Sequence, residues 1–223
     1  MEKTLQPKLI AFDLVGTLID GEIFNAARRS IAIDFNEGWG EAESASLFNS
    51  HFDYEVVFRY WLDHILVKTV YRQFQKYLLH HTLDRKYLYP DTEPTLKRLR
   101  ELGVRLGFVT DGHDEVEGEM IRTILRQCNI NPDDCIIISG DKVKSGKATG
   151  QPFGRLVEEA TSLGIAIEDI FFVGDNPDVD VNGAQQKKLR TTLIRRQSST
   201  YKPDHQINTL GELLSLVEYP SQS

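Results

Sequence analysis

Leu9-Ile10-Ala11-Phe12-Asp13-Leu14-Val15-Gly16-Thr17-Leu18 decides how this chain folds, because a wholly apolar run leads straight into a carboxylate and then a glycine turn. A short apolar run bounded by turn residues is the pattern of a strand buried on both faces. The strand is expected from Lys8 to Asp13, so its acid falls at the carboxyl end. The same arrangement recurs far downstream, where Ile170-Phe171-Phe172-Val173 delivers Gly174-Asp175-Asn176-Pro177-Asp178-Val179-Asp180. Open α/β sheets place their ligands beyond the carboxyl ends of their strands. Carboxylates converging there can bind a hard cation, with one acting as a nucleophile.

From Tyr89-Pro90-Asp91 onward, strand and helix signals alternate. A helix from Glu93 or Pro94 to Leu102 stops at Gly103, and Val104 to Val109 follows as a strand. Glu115 to Cys128 reads as a helix, Cys135 to Ile138 as a strand, and Pro152 to Leu163 as a helix ended by Gly164. Ile170 to Val173 is a strand, Val179 to Lys188 a helix, Thr191 to Ile194 a strand and Leu210 to Val217 a helix. Strands separated by helices of this length imply parallel crossovers and a doubly wound α/β sheet.

The stretch before this alternation is different. Helical patterns cover Phe24 to Phe35, Ser44 to Phe48, a run capped by Asp53 that extends through Ile65 and Leu66, and Val70 to Leu79. Residues 21–88 therefore read as an all-helical insertion after the first strand, with the core built from 1–20 and 89–223. The aromatics of the insertion read as the inner face of a helical bundle.

Composition narrows the partners. The net charge of -7 and the absence of a long basic stripe argue against a nucleic-acid backbone as ligand. No apolar run is long enough to span a bilayer, and no signal peptide is expected, so a cytoplasmic protein with no membrane partner is predicted. Cys128 and Cys135 lack metal-site spacing and read as reduced packing residues, which fits the same compartment. Oligomeric state is left open.

Four strand ends carry the polar residues of the sheet-forming part: Asp13 to Thr17, Thr110-Asp111-Gly112, the Lys147 region, and Asp175 to Asp180. In this order and spacing the chain resembles the haloacid dehalogenase-like superfamily over essentially its whole length. The resemblance implies a Rossmann-like doubly wound core and makes the insertion a helical cap. It implies Asp13 as a nucleophile forming an aspartyl-phosphate, with Thr110 and neighbouring amides on the phosphoryl oxygens and Lys147 neutralising charge. Lys147 is preferred to Lys142 and Lys144 because it stands before Gln151-Pro152-Phe153 as the family lysine stands before its helix, although Ala148 replaces the usual proline. It further implies Mg2+ held by Asp13, the carbonyl of Val15 and Asp175, with Asp180 acting through water or as an anchor. Asp178 reads as a surface turn residue and Asp111 as a helix cap.

One position departs from the pattern. Phosphatases of the family usually carry an aspartate two residues after the nucleophile to protonate the leaving oxygen and then activate water, and here Val15 stands in its place. Losing a general acid/base costs on the order of 10²–10⁴ in rate. The expectation is a magnesium-dependent hydrolase of a small phosphorylated metabolite, whose leaving group needs little protonation or whose acid comes from the cap or from a loop group such as Glu22 or His113. The alternatives are an impaired pseudoenzyme that binds a phosphorylated ligand, and a haloacid dehalogenase, whose halide leaves unprotonated. The intact Gly174-Asp175 pair weighs against the dehalogenase. A phosphonate-cleaving enzyme would need a cap lysine close after the first motif, and the first in the insertion is Lys68.

Overall fold

A computed structural model describes residues 6–34, 64–194 and 203–217. Its centre is a six-stranded, all-parallel sheet in the order β3-β2-β1-β4-β5-β6. The strands are β1 (Leu9–Phe12), β2 (Arg105–Thr110), β3 (Ile136–Ser139), β4 (Ile170–Gly174), β5 (Arg190–Ile194) and β6 (His205–Ile207). The order runs outward from β1 in one direction and from β4 in the other, so the crevice of the doubly wound sheet opens between these two strands. They pair in register, with Phe12 beside Val173. The two acid-bearing loops therefore emerge side by side.

Every residue of β1 and β4 is buried, as parallel strands covered on both faces require. Alternation divides them between two apolar clusters. Ile10, Phe12, Phe171 and Val173 face one side, and Leu9, Ala11, Ile170 and Phe172 the other. The first side is covered by α1 (Glu22–Asp34), α2 (His64–His81), α3 (Thr92–Glu101), α4 (Glu119–Gln127) and, after the sheet, the C-terminal helix Leu210–Leu216. The second is covered by the helix Gln151–Ser162, whose Phe153 packs edge-on against Phe172 with ring centroids 4.7 Å apart. No helix among the described residues is long and apolar enough to cross a membrane.

The helical stretch after β1 enters and leaves on adjacent backbone. Tyr89 N–H donates to the Leu18 carbonyl at 3.1 Å and Asp20 N–H to that of Tyr87 at 2.7 Å. Asp20 Oδ1 accepts the Glu22 N–H that opens α1. Ile23, Phe24 and Ala27 of α1 and Phe74 and Leu78 of α2 join the apolar cluster that covers the sheet. The expected helix Ser44 to Phe48 and the Asp53 cap lie outside the described residues.

Several boundaries differ from the sequence expectations. Ile65, Leu66 and the Val70 to Leu79 run belong to one helix, α2, because Val67-Lys68-Thr69 contains no residue that stops one. The helices expected at Glu115 and Val179 each begin with a wide π turn, at Asp114–Gly118 and Pro177–Val181. Between β3 and Gln151 lie a short helix, α5 (Gly140–Val143), and a tight turn, Lys147–Thr149. β6 was not foreseen, since His205-Gln206-Ile207 is short and mostly polar, as an edge strand can be.

Candidate active site

Asp13 follows β1 directly, and its backbone N–H donates to the Val173 carbonyl at 2.9 Å, which ties the acid to β4. Asp175 follows β4 in the same way. The glycine three residues after Asp13 is essential to their approach. Gly16 has φ +86°, a conformation that disfavours side chains, and a Cβ there would run into the Asp175 carboxylate.

Asp180 reaches the same place from a different direction. Asn176 caps the π turn, its Oδ1 accepting the N–H groups of Asp178 and Val179 at 3.0 and 3.2 Å. The Asp180 side chain then turns back, and its Oδ2 accepts the Asn176 N–H at 3.0 Å. Asp13, Asp175 and Asp180 each bring a carboxylate oxygen within 4.8 Å of the others, an all-oxygen donor set suited to a hard cation.

Lys147 lies against this cluster. Its Nζ is 2.5 Å from Asp13 Oδ1 and 2.6 Å from Asp180 Oδ1, with all three side chains almost fully buried. Burial alone would lower the lysine's pKa, but the charges of Asp13, Asp180 and Asp111 outweigh it and hold the ammonium well above its ordinary value. For Asp13, burial acts upward, Lys147 opposes it, and the neighbouring Asp180 and Asp175 add to the rise. Three carboxylates around one ammonium leave excess negative charge in a buried place. A divalent cation among them would relieve it, so the donors present fit such an ion.

The other anticipated residues divide. Thr110 ends β2 fully buried, and its hydroxyl donates to the Glu117 carboxylate. Val15 is half-buried and bridges to Ile19. Asp111 is not a helix cap. Its Oδ1 accepts the backbone N–H of Lys147 at 2.5 Å and so fixes the turn that carries the lysine, while the π turn is preceded by His113, which makes no side-chain cap. Asp178 is exposed, and Lys142 pairs with Asp114 on the surface. Glu22 is half exposed, and hydrogen bonds from Asn25 and Arg29 hold its carboxyl below the ordinary range. His113 Nδ1 lies 3.8 Å from an Asp141 carboxylate oxygen.

Glu117 escaped the sequence reading. It is the fourth residue after His113, as Asp180 is the fourth after Asn176, and each π turn directs a carboxyl inward. The signal was available: Glu117 stands in line with Ile121, Ile124 and Cys128 at helical spacing, a charged residue on an apolar stripe.

Comparison with known proteins places the chain in a family. Residues 7–186 match the haloacid dehalogenase-like hydrolase family. The chain belongs to that family. A glyceraldehyde 3-phosphate phosphatase of Methanocaldococcus jannaschii is 27% identical over 241 residues, covering 95% of this chain and 97% of the relative. Another protein of that name, from Methanopyrus kandleri, is 31% identical over 137 residues, spanning 58% of this chain and 56% of the relative's length. Among solved structures, the HAD-hydrolase YfnB of Bacillus subtilis, crystallised bound to magnesium, superposes with a TM-score of 0.73 at 17% identity. That superposition covers 95% of this chain and 99% of YfnB, and it shows the shared fold.

Proposed function

We propose that this member of the family is a magnesium-dependent phosphatase of a small phosphorylated metabolite, working through an aspartyl-phosphate on Asp13. The observation that carries the reading is the convergence of Asp13, Asp175, Asp180 and Lys147 beyond β1 and β4. The phosphatase names of relatives matched over nearly their full length support the reaction class. In the first step a carboxylate oxygen of Asp13 attacks phosphorus, the phosphorus–oxygen ester bond breaks, and the leaving oxygen takes a proton. Water then attacks the phosphorus of the acyl phosphate, releasing inorganic phosphate and restoring Asp13.

Lys147 offsets charge on the nucleophile and the transferring group, and Thr110 with its neighbouring amides binds phosphoryl oxygens. Asp13, Asp175 and the Val15 carbonyl hold magnesium, with Asp180 as anchor, and the ion supplies charge neutralisation at the phosphoryl oxygens. Residues 21–88 form the cap that selects the substrate.

Val15 favours a second reading, a protein that binds a phosphorylated ligand with little turnover, since valine can neither give nor take a proton. A screen of phosphate esters, acyl phosphates and 2-haloacids, with and without magnesium, separates these. Magnesium-dependent phosphate release supports the phosphatase. Binding of phosphate without any release supports the impaired form, and metal-independent halide release overturns both.

A further inference from the structure

Glu117 is a buried carboxyl that the metal cluster and the phosphoryl-transfer steps leave unused. It is 7% exposed, and its carboxyl accepts the proton of the Thr110 hydroxyl, whose oxygen in turn accepts the Gly112 backbone N–H at 3.3 Å. Any side chain at Gly112 would collide with it, so this glycine is what admits the carboxyl. The π turn makes the placement possible. The His113 carbonyl accepts N–H groups from Val116, Glu117 and Gly118, widening the helix start so that Glu117 points back over the end of β2. The charged groups facing it are Lys147, as a cation, and Asp111 and Asp141, as anions.

These partners are the groups assigned above to the phosphoryl oxygens. A hydroxyl proton given to the glutamate, and an amide proton given to that hydroxyl's oxygen, cannot serve a phosphoryl group at the same time. We propose that the Glu117 carboxyl is the resident occupant of a phosphoryl-oxygen seat, and that a phosphoryl dianion takes that seat only beside a neutral Glu117. The proposal rests on the phosphatase reading, through the role of Thr110. Ionised, Glu117 competes for the donors and repels the ligand. Neutral, it gives them up and presents an O–H of its own, which can donate to a phosphoryl oxygen. Glu117 thereby sets which charge state of the site accepts its ligand.

The proton is available in the neutral range. Burial pushes Glu117 up, Lys147 opposes, Asp111 and Asp141 add to the rise, and the result is a pKa of about 7. Phosphoryl binding then draws in a proton, and affinity falls as the medium becomes alkaline.

The test measures tungstate binding by calorimetry in the full-length protein with saturating magnesium, between about pH 6.5 and about pH 8.5. Tungstate is a tetrahedral dianion throughout, so its own titration does not enter. The parent should lose roughly 25-fold in affinity across this range, which is the fall in the neutral fraction of one group with a pKa of about 7. Glu117→Gln should bind with little pH dependence and more tightly than the parent at the alkaline end. Glu117→Ala should do the same, which covers the case where glutamine itself keeps the donors occupied. Parallel pH profiles in the parent and both variants overturn the proposal and leave the phosphatase reading standing. Binding of neither tungstate nor phosphate by any of the three proteins at any pH overturns that reading as well.

Discussion

Lys147 Nζ lies 2.5 Å from Asp13 Oδ1, a buried contact between residues 134 positions apart in the chain. The same ammonium holds Asp180, so three strand-end loops share one charge. Taking one member from a buried ion pair leaves an uncompensated charge and typically costs about 3–5 kcal/mol. Lys147→Met should therefore destabilise the metal-free protein by about that amount in urea unfolding, and added magnesium should recover part of the loss. A change below about 1 kcal/mol would mean that the lysine and its acids are far better solvated than their burial implies.

Asp175 should bind the metal. Its carboxylate lies over Gly16 and within reach of Asp13 and Asp180. Asp175→Asn keeps the shape but removes the charge, and should weaken magnesium binding by at least about tenfold in calorimetry, with the circular dichroism spectrum unchanged. Equal affinity in variant and parent would remove the metal assignment.

Asp13→Asn should abolish turnover of any substrate the parent accepts, and beryllofluoride, which mimics an acyl phosphate, should bind the parent alone. Activity retained in the variant would rule out the covalent route.

The sheet and its acids were legible because their signals are local. Leu9 to Asp13 and Ile170 to Asp175 each declare a buried strand and its terminal carboxylate within a few residues. β6 was not legible, because a short edge strand needs no apolar run and is defined by its partner β5. The π turns were hidden for a related reason: Asp114–Gly118 and Pro177–Val181 have ordinary helical composition, and only the hydrogen bonds to the His113 and Asn176 carbonyls reveal them. Asp111 was misread as a cap because its true partner, the Lys147 amide, is distant in sequence. Glu117 was passed over as one of three acids in Asp114-Glu115-Val116-Glu117, though its carboxyl accepts the Thr110 hydroxyl proton.

Glu117 should also leave a mark on stability. Its pKa of about 7 in the folded protein lies above the ordinary 4.5, so the folded state holds the proton more tightly. That contribution is complete below about pH 4.5 and is lost as the pH rises through about 7, up to about 3 kcal/mol in all. Urea midpoints at about pH 5.5 and about pH 8, in saturating magnesium to hold Asp13 constant, should show the parent losing stability relative to Glu117→Gln. Equal losses in the two proteins would show that Glu117 titrates as an ordinary carboxyl.

The last prediction concerns Val15, half-buried two residues after Asp13 and close enough to Gly21 that a Cβ there would meet its Cγ1 at 3.3 Å. If the site lacks only its acid/base, the charge clamp of Lys147, magnesium and Thr110 remains able to work on leaving groups that need no proton. Acetyl phosphate and p-nitrophenyl phosphate should then be hydrolysed much faster than alkyl phosphates. Val15→Asp should raise alkyl phosphatase activity by up to about 10²–10⁴-fold, the usual contribution of a positioned acid/base, with a smaller effect on the activated substrates. The selective gain is what identifies proton transfer, because a general improvement in binding or folding would raise all substrates together. If the parent already hydrolyses alkyl phosphates well and the variant adds nothing, the proton comes from elsewhere. Glu22→Gln and His113→Ala are then the next variants to measure.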